Sequence, residues 1–431
     1  MRKLLLLGLA MICLCFCVPA AEAAEISGKE LVSGYSGFSS VNRLFDGRTM
    51  EATRIKNGGH FTLKHSEGIA SAYLVLNREY GPITVTDEAS GETAVMMENG
   101  YLHEFLDLQA SFGYAPTEVT LNFDSGEAEL CELSVFASGA LPDWVQRWEA
   151  PAEAETDLVL FSTHGDDEQL FFAGLLPYYG AELGYNVQVV YMTDHRNMTM
   201  RRVHEMLDGL WAVGVRTYPV FGSFGDYNTH SLEEAYQRYR QKGISQEDIL
   251  AFVVENIRRF RPKVAVGHDL MGEYGHGMHM IYAQLLCQAV EISADETQFP
   301  ESAERYGFWD VPKTYLHLYP ENKITMNWDI PLESFDGMTA FEVTKELGFP
   351  CHESQQRYYS WYFKDMDTAD QIREYSPCEF GLYRSTVGED TARNDFFENL
   401  TTYAEDTLAE ARLWEEIARL ETEKNARRID D

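Results

Sequence analysis

The chain has few basic residues and few cysteines, and beyond its first segment it has no long apolar run. Its 431 residues include 35 Lys and Arg against 69 Asp and Glu, which gives a formal net charge of −34. This balance argues against nucleic acid and anionic membrane surfaces as partners. No stretch after the first segment reaches the roughly 20 apolar residues that a membrane-spanning helix needs, so we expect no membrane span.

Residues 1–23 are predicted to be a signal peptide. Arg2 and Lys3 precede an apolar stretch from Leu4 to Val18, and a run of small residues follows up to Ala23. Basic, apolar and small-residue regions in this order are typical of secretory signals. We therefore expect a secreted or cell-surface protein.

Four cysteines lie beyond the predicted signal peptide, and none belongs to a Cys-x-x-Cys motif, which argues against a zinc ribbon. They are Cys131, Cys287, Cys351 and Cys378. An oxidising compartment permits disulfides, and Cys351 with Cys378 is the pair to test first. The sequence leaves the pairing open, and four buried free thiols fit it equally well.

Residues 25–140 consist of short alternating runs, such as residues 71–76 and 118–123, separated by Gly, Asn and Asp. Several short strands with turn signals between them predict an all-β sandwich. The opening residues 41–47 and the closing run 130–136 resemble discoidin-like (galactose-binding-like) sandwiches. That resemblance implies an accessory domain, with glycan binding as its expected role. Residues 141–155 are predicted to be a linker.

Strand-like and helical segments alternate from residue 156 to residue 400. The predicted strands are residues 157–162, 187–192, 218–221, 263–267 and 313–318, and the predicted helices are residues 200–213 and 249–260. Right-handed crossovers would assemble them into a Rossmann-like, mostly parallel α/β sheet with helices on both faces. Residues 401–431 are predicted to form a charged C-terminal helix.

The densest chemistry of the sequence lies at residues 163–168, Thr-His-Gly-Asp-Asp-Glu, directly after the first strand of this domain. In open α/β sheets, ligands collect at the carboxyl ends of the strands. Four ionisable groups at such a point are costly to hold near a core unless a cation or a reaction uses them. This stretch therefore predicts a metal site with its own base.

A second motif, residues 272–279, follows the predicted strand 263–267 and opens an apolar helical run. His276 and His279 are three residues apart, so at the start of a helix they share one face. A His/Asp pair after one strand and a His/His pair after another can converge at one end of the sheet. Such a donor set with an open position is typical of a catalytic zinc site.

Together the two motifs resemble those of the PIG-L (LmbE-like) zinc-dependent N-acetylglucosamine deacetylases, over roughly residues 157–384. The resemblance implies that His164, Asp167 and His279 bind Zn²⁺, with Fe²⁺ as the alternative ion. It implies that Asp166 is the general base and that His276 stabilises charge or protonates the leaving amine. Tyr274 is then expected to polarise the acetyl carbonyl. The residues expected to contact the substrate are Arg202, Asp194 and His352.

Three positions depart from the usual pattern of this family. Gly165 stands where Pro is usual, His195 stands where Gly is usual, and Gly277-Met278 stand where Pro-Asp is usual. Losing the acidic residue at 278 removes a partner that orients a histidine ligand, and such partners matter roughly 10–100-fold. The candidates to replace it are Asp269, His268, Glu273 and Asp194.

These observations predict an exported hydrolase that removes the acetyl group of an N-acetylated amino sugar, with a sugar or glycan as its partner. Hydrolysis of the amide needs an activated water, a base and a proton for the departing nitrogen. The alternative is a carbohydrate-binding surface protein with an impaired deacetylase-like domain. An amidase acting on another N-acyl glycoconjugate would share the same site. Residues 358–363 are rich in aromatics, for which core packing is the default use and stacking on sugar rings the other.

Overall fold

The computed structural model describes residues 22–151, 153–197, 200–409 and 412, and the chain divides into two units, residues 1–146 and 147–431. The predicted signal peptide lies outside the described residues except for its last two positions. Most of the predicted C-terminal helix also lies outside them, although residues 403–409 are helical. Within the described ranges, no helix is long and apolar enough to cross a membrane.

From residue 22 onward, the first unit has nine strands and one short α-helix. They are β1 (Val32–Ser36), β2 (Thr53–Ile55), β3 (Gly59–Lys64), β4 (Ser71–Leu76), β5 (Ile83–Asp87), β6 (Thr93–Met96), β7 (His103–Asp107), α1 (Leu108–Phe112), β8 (Glu118–Phe123) and β9 (Ala128–Phe136). One antiparallel sheet has the order β1-β3-β8-β5-β6, and the other has the order β2-β9-β4-β7.

Alternation of buried and partly exposed residues along β3 and β5 turns one face of their sheet inward. Phe61 and Leu121 from this sheet share a core with Leu74 and Leu133 from the other. Since a strand projects successive side chains to opposite faces, this shared core makes the unit a two-layer sandwich. The prediction of an all-β sandwich is confirmed.

The second unit is built on a seven-stranded sheet. Its strands are β10 (Leu158–Ser162), β11 (Val187–Thr193), β12 (Val220–Phe224), β13 (Val264–Gly267), β14 (Lys313–His317), β15 (Lys323–Thr325) and β16 (Glu379–Ser385). They lie in the order β12-β11-β10-β13-β14-β16-β15. The first five in this order are parallel, and β16 and β15 add an antiparallel edge.

Helices cover both faces of this sheet. They are α2 (Asp167–Leu170), α3 (Met200–Ala212), α4 (Leu232–Gln241), α5 (Gln246–Phe260), α6 (Gly277–Ile292), α7 (Pro300–Tyr306), α8 (Ala340–Glu342) and α9 (Gln356–Tyr362). Leu160 of β10 packs in one core with Met206 of α3. Phe161, its neighbour in the strand, packs in another with Ile257 of α5 and Ile281 of α6. The predicted α/β architecture with helices on both faces is confirmed.

The chain reverses its direction of growth across the sheet between β10 and β13. From β10 it proceeds to β11 and β12 on one side, and then it returns to place β13 on the other side of β10. The crevice outside the carboxyl ends of two such strands is where open α/β sheets bind ligands. Residues 163–168 follow β10 and residues 268–279 follow β13, so both sequence motifs lie at this crevice.

The four cysteines of the described chain are free thiols, so the pair Cys351 and Cys378 is not joined. Cys131, Cys287 and Cys378 are buried, and burial raises the pKa of each of these thiols to about 12. Buried, protonated thiols behave as small apolar side chains. They therefore contribute to packing.

Candidate metal centre and catalytic cavity

Three donor atoms from the two motifs form a small triangle at the crevice. His164 Nδ1 lies 3.0 Å from Asp167 Oδ2 and 3.0 Å from His279 Nε2, and His279 Nε2 lies 3.2 Å from Asp167 Oδ2. A tetrahedral zinc ion with bonds of about 2.0–2.1 Å holds its ligand atoms about 3.3 Å apart. The triangle is close to one face of such a tetrahedron, and its nitrogen and oxygen donors suit zinc or ferrous iron.

Two further histidines lie beside the triangle. His268 Nε2 accepts a hydrogen bond of 3.0 Å from the Thr163 N–H, and His268 Nδ1 donates one of 2.9 Å to Glu273 Oε2. Both nitrogens are therefore in use, and the ring stacks on His279 with centroids 4.3 Å apart. His268 thus packs the triangle from one side, and its lone pair is not available to an ion.

His276 caps α6. Its Nδ1 accepts a hydrogen bond of 3.3 Å from the Met278 N–H, and the side chain lines the catalytic cavity. With Nδ1 accepting, the neutral ring carries its hydrogen on Nε2. Burial, together with His164 and His279, lowers the pKa of His276 to about 3 in the metal-free site. The neutral ring is therefore a hydrogen-bond donor at the cavity wall.

Carboxylates hold the far nitrogens of the two histidine donors. His164 Nε2 lies 3.0 Å from Asp226 Oδ1, and His279 Nδ1 lies 2.7 Å from Glu273 Oε2. A carboxylate on one imidazole nitrogen fixes the tautomer and turns the lone pair of the other nitrogen toward an ion. Both histidines are therefore oriented for metal binding.

Asp226 was not predicted. The sequence placed a weak strand at residues 218–221, whereas β12 spans Val220–Phe224, so Asp226 lies at a strand end that the prediction set three residues too early. An acidic residue directly after a parallel strand was the available signal. Partial burial raises the pKa of Asp226, but the charge and the hydrogen bond of His164, together with His195 and His276, hold the pKa well below its usual value.

Glu273 is the centre of a buried hydrogen-bond network. Its Oε2 accepts from His268 and His279, and its Oε1 accepts from His317 Nδ1 at 2.6 Å and from the Asp269 N–H at 3.2 Å. The carboxylate is fully buried. Burial raises its pKa, but His268 and His279 hold the pKa well below its usual value. Glu273 therefore stays ionised without contact with water.

The network extends to His317 at the end of β14. His317 Nε2 lies 2.9 Å from the Ser376 carbonyl oxygen, while His317 Nδ1 faces Glu273. Both partners accept hydrogen bonds, so each ring nitrogen of His317 faces an acceptor. A buried contact between a carboxylate and an imidazole thus lies directly behind the His279 donor.

Met278 stands where an acidic residue is usual, and it is fully buried in the apolar core under α6. No carboxylate is therefore supplied from position 278. Glu273, five residues earlier, supplies one to His279 instead. Of the four candidates for this replacement, Glu273 is the one that contacts the far nitrogen of His279.

Asp166 and Arg202 form a buried ion pair at the cavity wall. Arg202 Nη2 donates a hydrogen bond of 2.7 Å to Asp166 Oδ1, and both side chains line the cavity. A charge-assisted bond of this length fixes the orientation of the carboxylate. Arg202 thus holds the carboxylate of Asp166, whereas the carboxylate of the neighbouring Asp167 belongs to the donor triangle.

Tyr274 lies at the cavity mouth on a tight loop. Its φ of 46° is in the left-handed region, between Gly272 and Gly275, whose φ angles are also positive. A residue with a side chain costs about 1–2 kcal/mol in this conformation. Burial of the hydroxyl, with Asp167 and Asp166 nearby, raises the pKa of Tyr274 far above its usual value, so the hydroxyl remains a donor.

The cavity has a volume of about 440 Å³. Its lining brings together residues from both motifs, from the loop after β12, and from α3 and α9: His164, Asp166, Asp167, Leu170, Arg202, Asp226, Asn228, Tyr274, His276, Gln355, Arg357, Tyr358 and Trp361. Seven of the nine residues predicted for the site belong to this cavity or to the donor triangle.

The structure places the two remaining predicted residues away from the cavity, because neither Asp194 nor His352 is among the described residues that line it. Asp194 Oδ1 instead accepts from the backbone N–H and the Nε of Arg196. His352 is fully buried, with its Nε2 3.2 Å from Glu168 Oε1. Direct substrate contact by either residue would require the surrounding structure to rearrange.

Comparisons with known proteins place similarity in the domain that holds this site. Residues 159–290 match the family model PIG-L: GlcNAc-PI de-N-acetylase. The 1D-myo-inositol 2-acetamido-2-deoxy-alpha-D-glucopyranoside deacetylase 1 of Catenulispora acidiphila is 26% identical over 46% of this chain and 68% of its own length. The corresponding deacetylase of Mycobacterium leprae is 27% identical over 50% of this chain and 74% of its own.

A solved structure, the N,N'-diacetylchitobiose deacetylase of Pyrococcus horikoshii, aligns with 53% of this chain and 82% of its own, at 14% identity and a TM-score of 0.32.

Proposed function

We propose, from the match of residues 159–290 to the PIG-L family model, that the protein is a metal-dependent N-deacetylase of an N-acetylated amino sugar. The observation that carries the proposal is the donor triangle of His164, Asp167 and His279 at the wall of a cavity that also holds Asp166. The names of the two curated relatives supply the substrate class, a 2-acetamido-2-deoxy-glucopyranoside.

Zinc is the proposed ion, with ferrous iron as the alternative, and His164, Asp167 and His279 would hold it. When bound, the ion supplies Lewis acidity, which polarises the acetyl carbonyl and acidifies water. The partly buried carboxylate of Asp226 and the buried carboxylate of Glu273 keep both histidines oriented for this purpose.

Asp166 is proposed to take the proton from the attacking water. Arg202 bonds its Oδ1 and stabilises the ionised carboxylate, so Oδ2 is the oxygen that would accept the proton. A base fixed beside the reacting water contributes typically 10²–10⁴-fold to such reactions.

His276 and Tyr274 are proposed to act on the substrate as donors. The Nε2–H of His276 would donate a hydrogen bond to the group on which charge develops, and the departing amine nitrogen would receive the proton that Asp166 took from the water. The Tyr274 hydroxyl would bond the oxygen on which negative charge develops. Donors that are fixed in place before the reaction stabilise such charge without reorganisation.

The test is acetate release by the purified, zinc-loaded chain from N-acetylglucosaminyl substrates. Asp166→Asn should keep the metal and lose activity by about 10²–10⁴-fold, and His279→Ala should lose the metal. Phe308→Ala, at an exposed position outside the cavity, is the matched control and should change neither. Release of no acetate by the zinc-loaded protein, or full activity of Asp166→Asn, would overturn the proposal.

Export is proposed from the N-terminal pattern and is tested by the N-terminal sequence of protein recovered from the medium or the cell surface. A mature chain beginning close to residue 24 supports the proposal, and an intact N-terminus on intracellular protein contradicts it.

The proposal of an active enzyme, in preference to an impaired domain, is supported by Glu273, which gives His279 the carboxylate that position 278 lacks.

A further inference from the structure

A buried polar contact lies behind the wall of the catalytic cavity, between Glu168 and His352. Both side chains are fully buried, and His352 Nε2 lies 3.2 Å from Glu168 Oε1. Glu168 directly follows the proposed base Asp166 and the metal donor Asp167 in the chain. Polar groups that are removed from water are costly to bury, so this contact needs an explanation beyond packing.

The contact joins α2 to residues 343–355, the segment that leads into α9. Phe349 of this segment and Leu170 of α2 belong to the same apolar core. The Phe349 ring also lies beside the His352 ring, with centroids 5.8 Å apart. The Glu168–His352 contact is therefore a polar point within an apolar seam, and it sets how the two elements align.

Space for the imidazole is left by Gly209 in the interior of α3. A Cβ at Gly209 would lie 2.8 Å from His352 Nε2 and 3.3 Å from the Gly348 carbonyl oxygen. Glycine inside a helix is destabilising relative to alanine, because it loses more conformational freedom on folding. Helix α3 thus gives up some stability at the point where the His352 ring has to fit.

Helix α2 is short, so contacts outside it decide how it is turned about its axis. It spans only Asp167–Leu170, and successive residues of a helix point about 100° apart. Three consecutive carboxyl groups accordingly have three different partners: Asp166 contacts Arg202, Asp167 belongs to the donor triangle, and Glu168 contacts His352. Holding the third group fixes the rotation of the turn, and with it the directions of the other two.

We propose that Glu168 and His352 are positioning residues, which hold the base Asp166 and the metal donor Asp167 in place without touching the substrate. Neither is among the described residues that line the cavity. The inference rests on the proposed function and adds to it a contact outside the cavity. His352 acts through Glu168, so replacing either residue should misplace the same two carboxylates. Misplacement by about 1 Å can cost about 10²-fold in rate.

The test measures kcat and KM of zinc-loaded variants for acetate release, together with zinc affinity by competition with a chelator. His352→Leu, which removes the partner of Glu168, should lower kcat about 10–100-fold at nearly unchanged KM and weaken zinc binding about tenfold. His352→Gln, which keeps a donor, should restore most of both properties. Gly209→Ala, which displaces the imidazole without removing either group, should lower kcat by a smaller factor.

A double variant and a matched control separate positioning from stability. Adding Glu168→Leu to His352→Leu should cause little further loss, because residues that act as one unit are not additive. Asp390→Asn is the control, since Asp390 contacts the buried Lys313 at the first residue of β14, at the other end of that strand from His317. The control should lower the urea midpoint and change neither kcat nor zinc affinity. Circular dichroism verifies that each variant is folded.

Retention of both kcat and zinc affinity by His352→Leu would overturn the proposal, as would multiplied losses in the double variant or an equal loss in Asp390→Asn. If His352→Leu does not fold, unchanged kcat and zinc affinity in Gly209→Ala overturn it instead. If no substrate releases acetate but His352→Leu still weakens zinc binding about tenfold, the positioning role stands and the deacetylase proposal fails. Unchanged zinc binding in that case overturns both proposals.

Discussion

Replacing Glu273 by Gln should weaken metal binding and folding together. The fully buried carboxylate accepts four hydrogen bonds, two on each oxygen. A Gln side chain keeps one acceptor oxygen and presents an amide N–H₂ in place of the other. Whichever way the amide turns, either His279 and His268 or His317 and Asp269 lose their acceptor.

The two losses have different magnitudes. When His279 Nδ1 loses its carboxylate, the affinity of the triangle for zinc should fall about 10–100-fold. A buried donor of His317 or His268 that is left without its acceptor should cost about 1–3 kcal/mol of unfolding free energy. Glu273→Asp keeps the charge but shortens the side chain by one methylene. The zinc affinity and the stability of this variant should therefore lie between those of the unmodified chain and those of Glu273→Gln.

The assay is a competitive zinc titration against a chelator, followed by urea unfolding of the full chain. Glu205→Gln is the matched control, because Glu205 is also a buried carboxylate with several partners, Arg201 and Ser354, but lies outside the cavity lining. This control should lose stability and keep its zinc affinity. If Glu273→Gln keeps both the zinc affinity and the stability of the unmodified chain, Glu273 does not position His279 and the reasoning is refuted.

Two further predictions concern Asp226 and the sandwich unit. Asp226→Ala should lower zinc affinity about tenfold, because His164 Nε2 loses its acceptor. Asp226→Asn should lower it much less, because its amide oxygen still accepts. The same zinc titration measures both variants, and equal affinities of the two variants would contradict the assigned role. In the sandwich, burial raises the pKa of Glu104 from 4.5 to about 7. The folded chain then holds a proton that the unfolded chain releases, so stability is greatest below about pH 4.5 and falls by up to about 3 kcal/mol as pH rises through about 7. Urea unfolding at about pH 5 and about pH 8 measures this loss of stability. Glu104→Gln should remove the loss, and the exposed control Glu98→Gln should retain it. An unchanged pH dependence in Glu104→Gln would show that Glu104 is not the source of the loss.

The sequence was sufficient for the parts of the site that depend on local pattern. Apolar runs marked β10 and β13, and polar residues directly after them marked the loops that meet where adjacent parallel strands end. The donor triangle follows from those two facts, and the match over residues 159–290 confirms the family resemblance. The triangle also depends on strand pairing, because His164 and His279 can meet only if β10 and β13 are neighbours in the sheet.

Other parts of the site depend on tertiary packing, which local patterns do not encode. Asp226 was missed because the end of β12 is set by pairing with β11. His352 was misplaced because its contact with Glu168 in the core is not marked by spacing in the sequence. Trp361 and Phe363 are two residues apart in one aromatic run, yet one is exposed and the other buried. Only the packing around α9 distinguishes them.

Two departures from the family pattern, Gly165 and His195, contact each other in the structure, so each compensates for the other. Gly165 has an N–H that Pro lacks, and this N–H donates a hydrogen bond of 3.1 Å to His195 Nε2. His195 in turn stands where Gly is usual. Burial and Arg202 hold the pKa of His195 well below its usual value, so the neutral ring can accept. A side chain at Gly165 would collide with Met206, since its Cβ would lie 2.1 Å from Met206 Cγ.

The same argument applies to Met278 and Glu273. The proposed metal site gains from a carboxylate on His279 Nδ1 and from a backbone contact that holds the loop beside His164, and neither has to come from a particular position in the chain. Glu273 meets the first requirement and the contact between Gly165 and His195 meets the second. A motif compared letter by letter counts each change as a loss, whereas the geometry shows that both physical requirements are still met. The departures therefore do not argue against a functional metal centre in this chain.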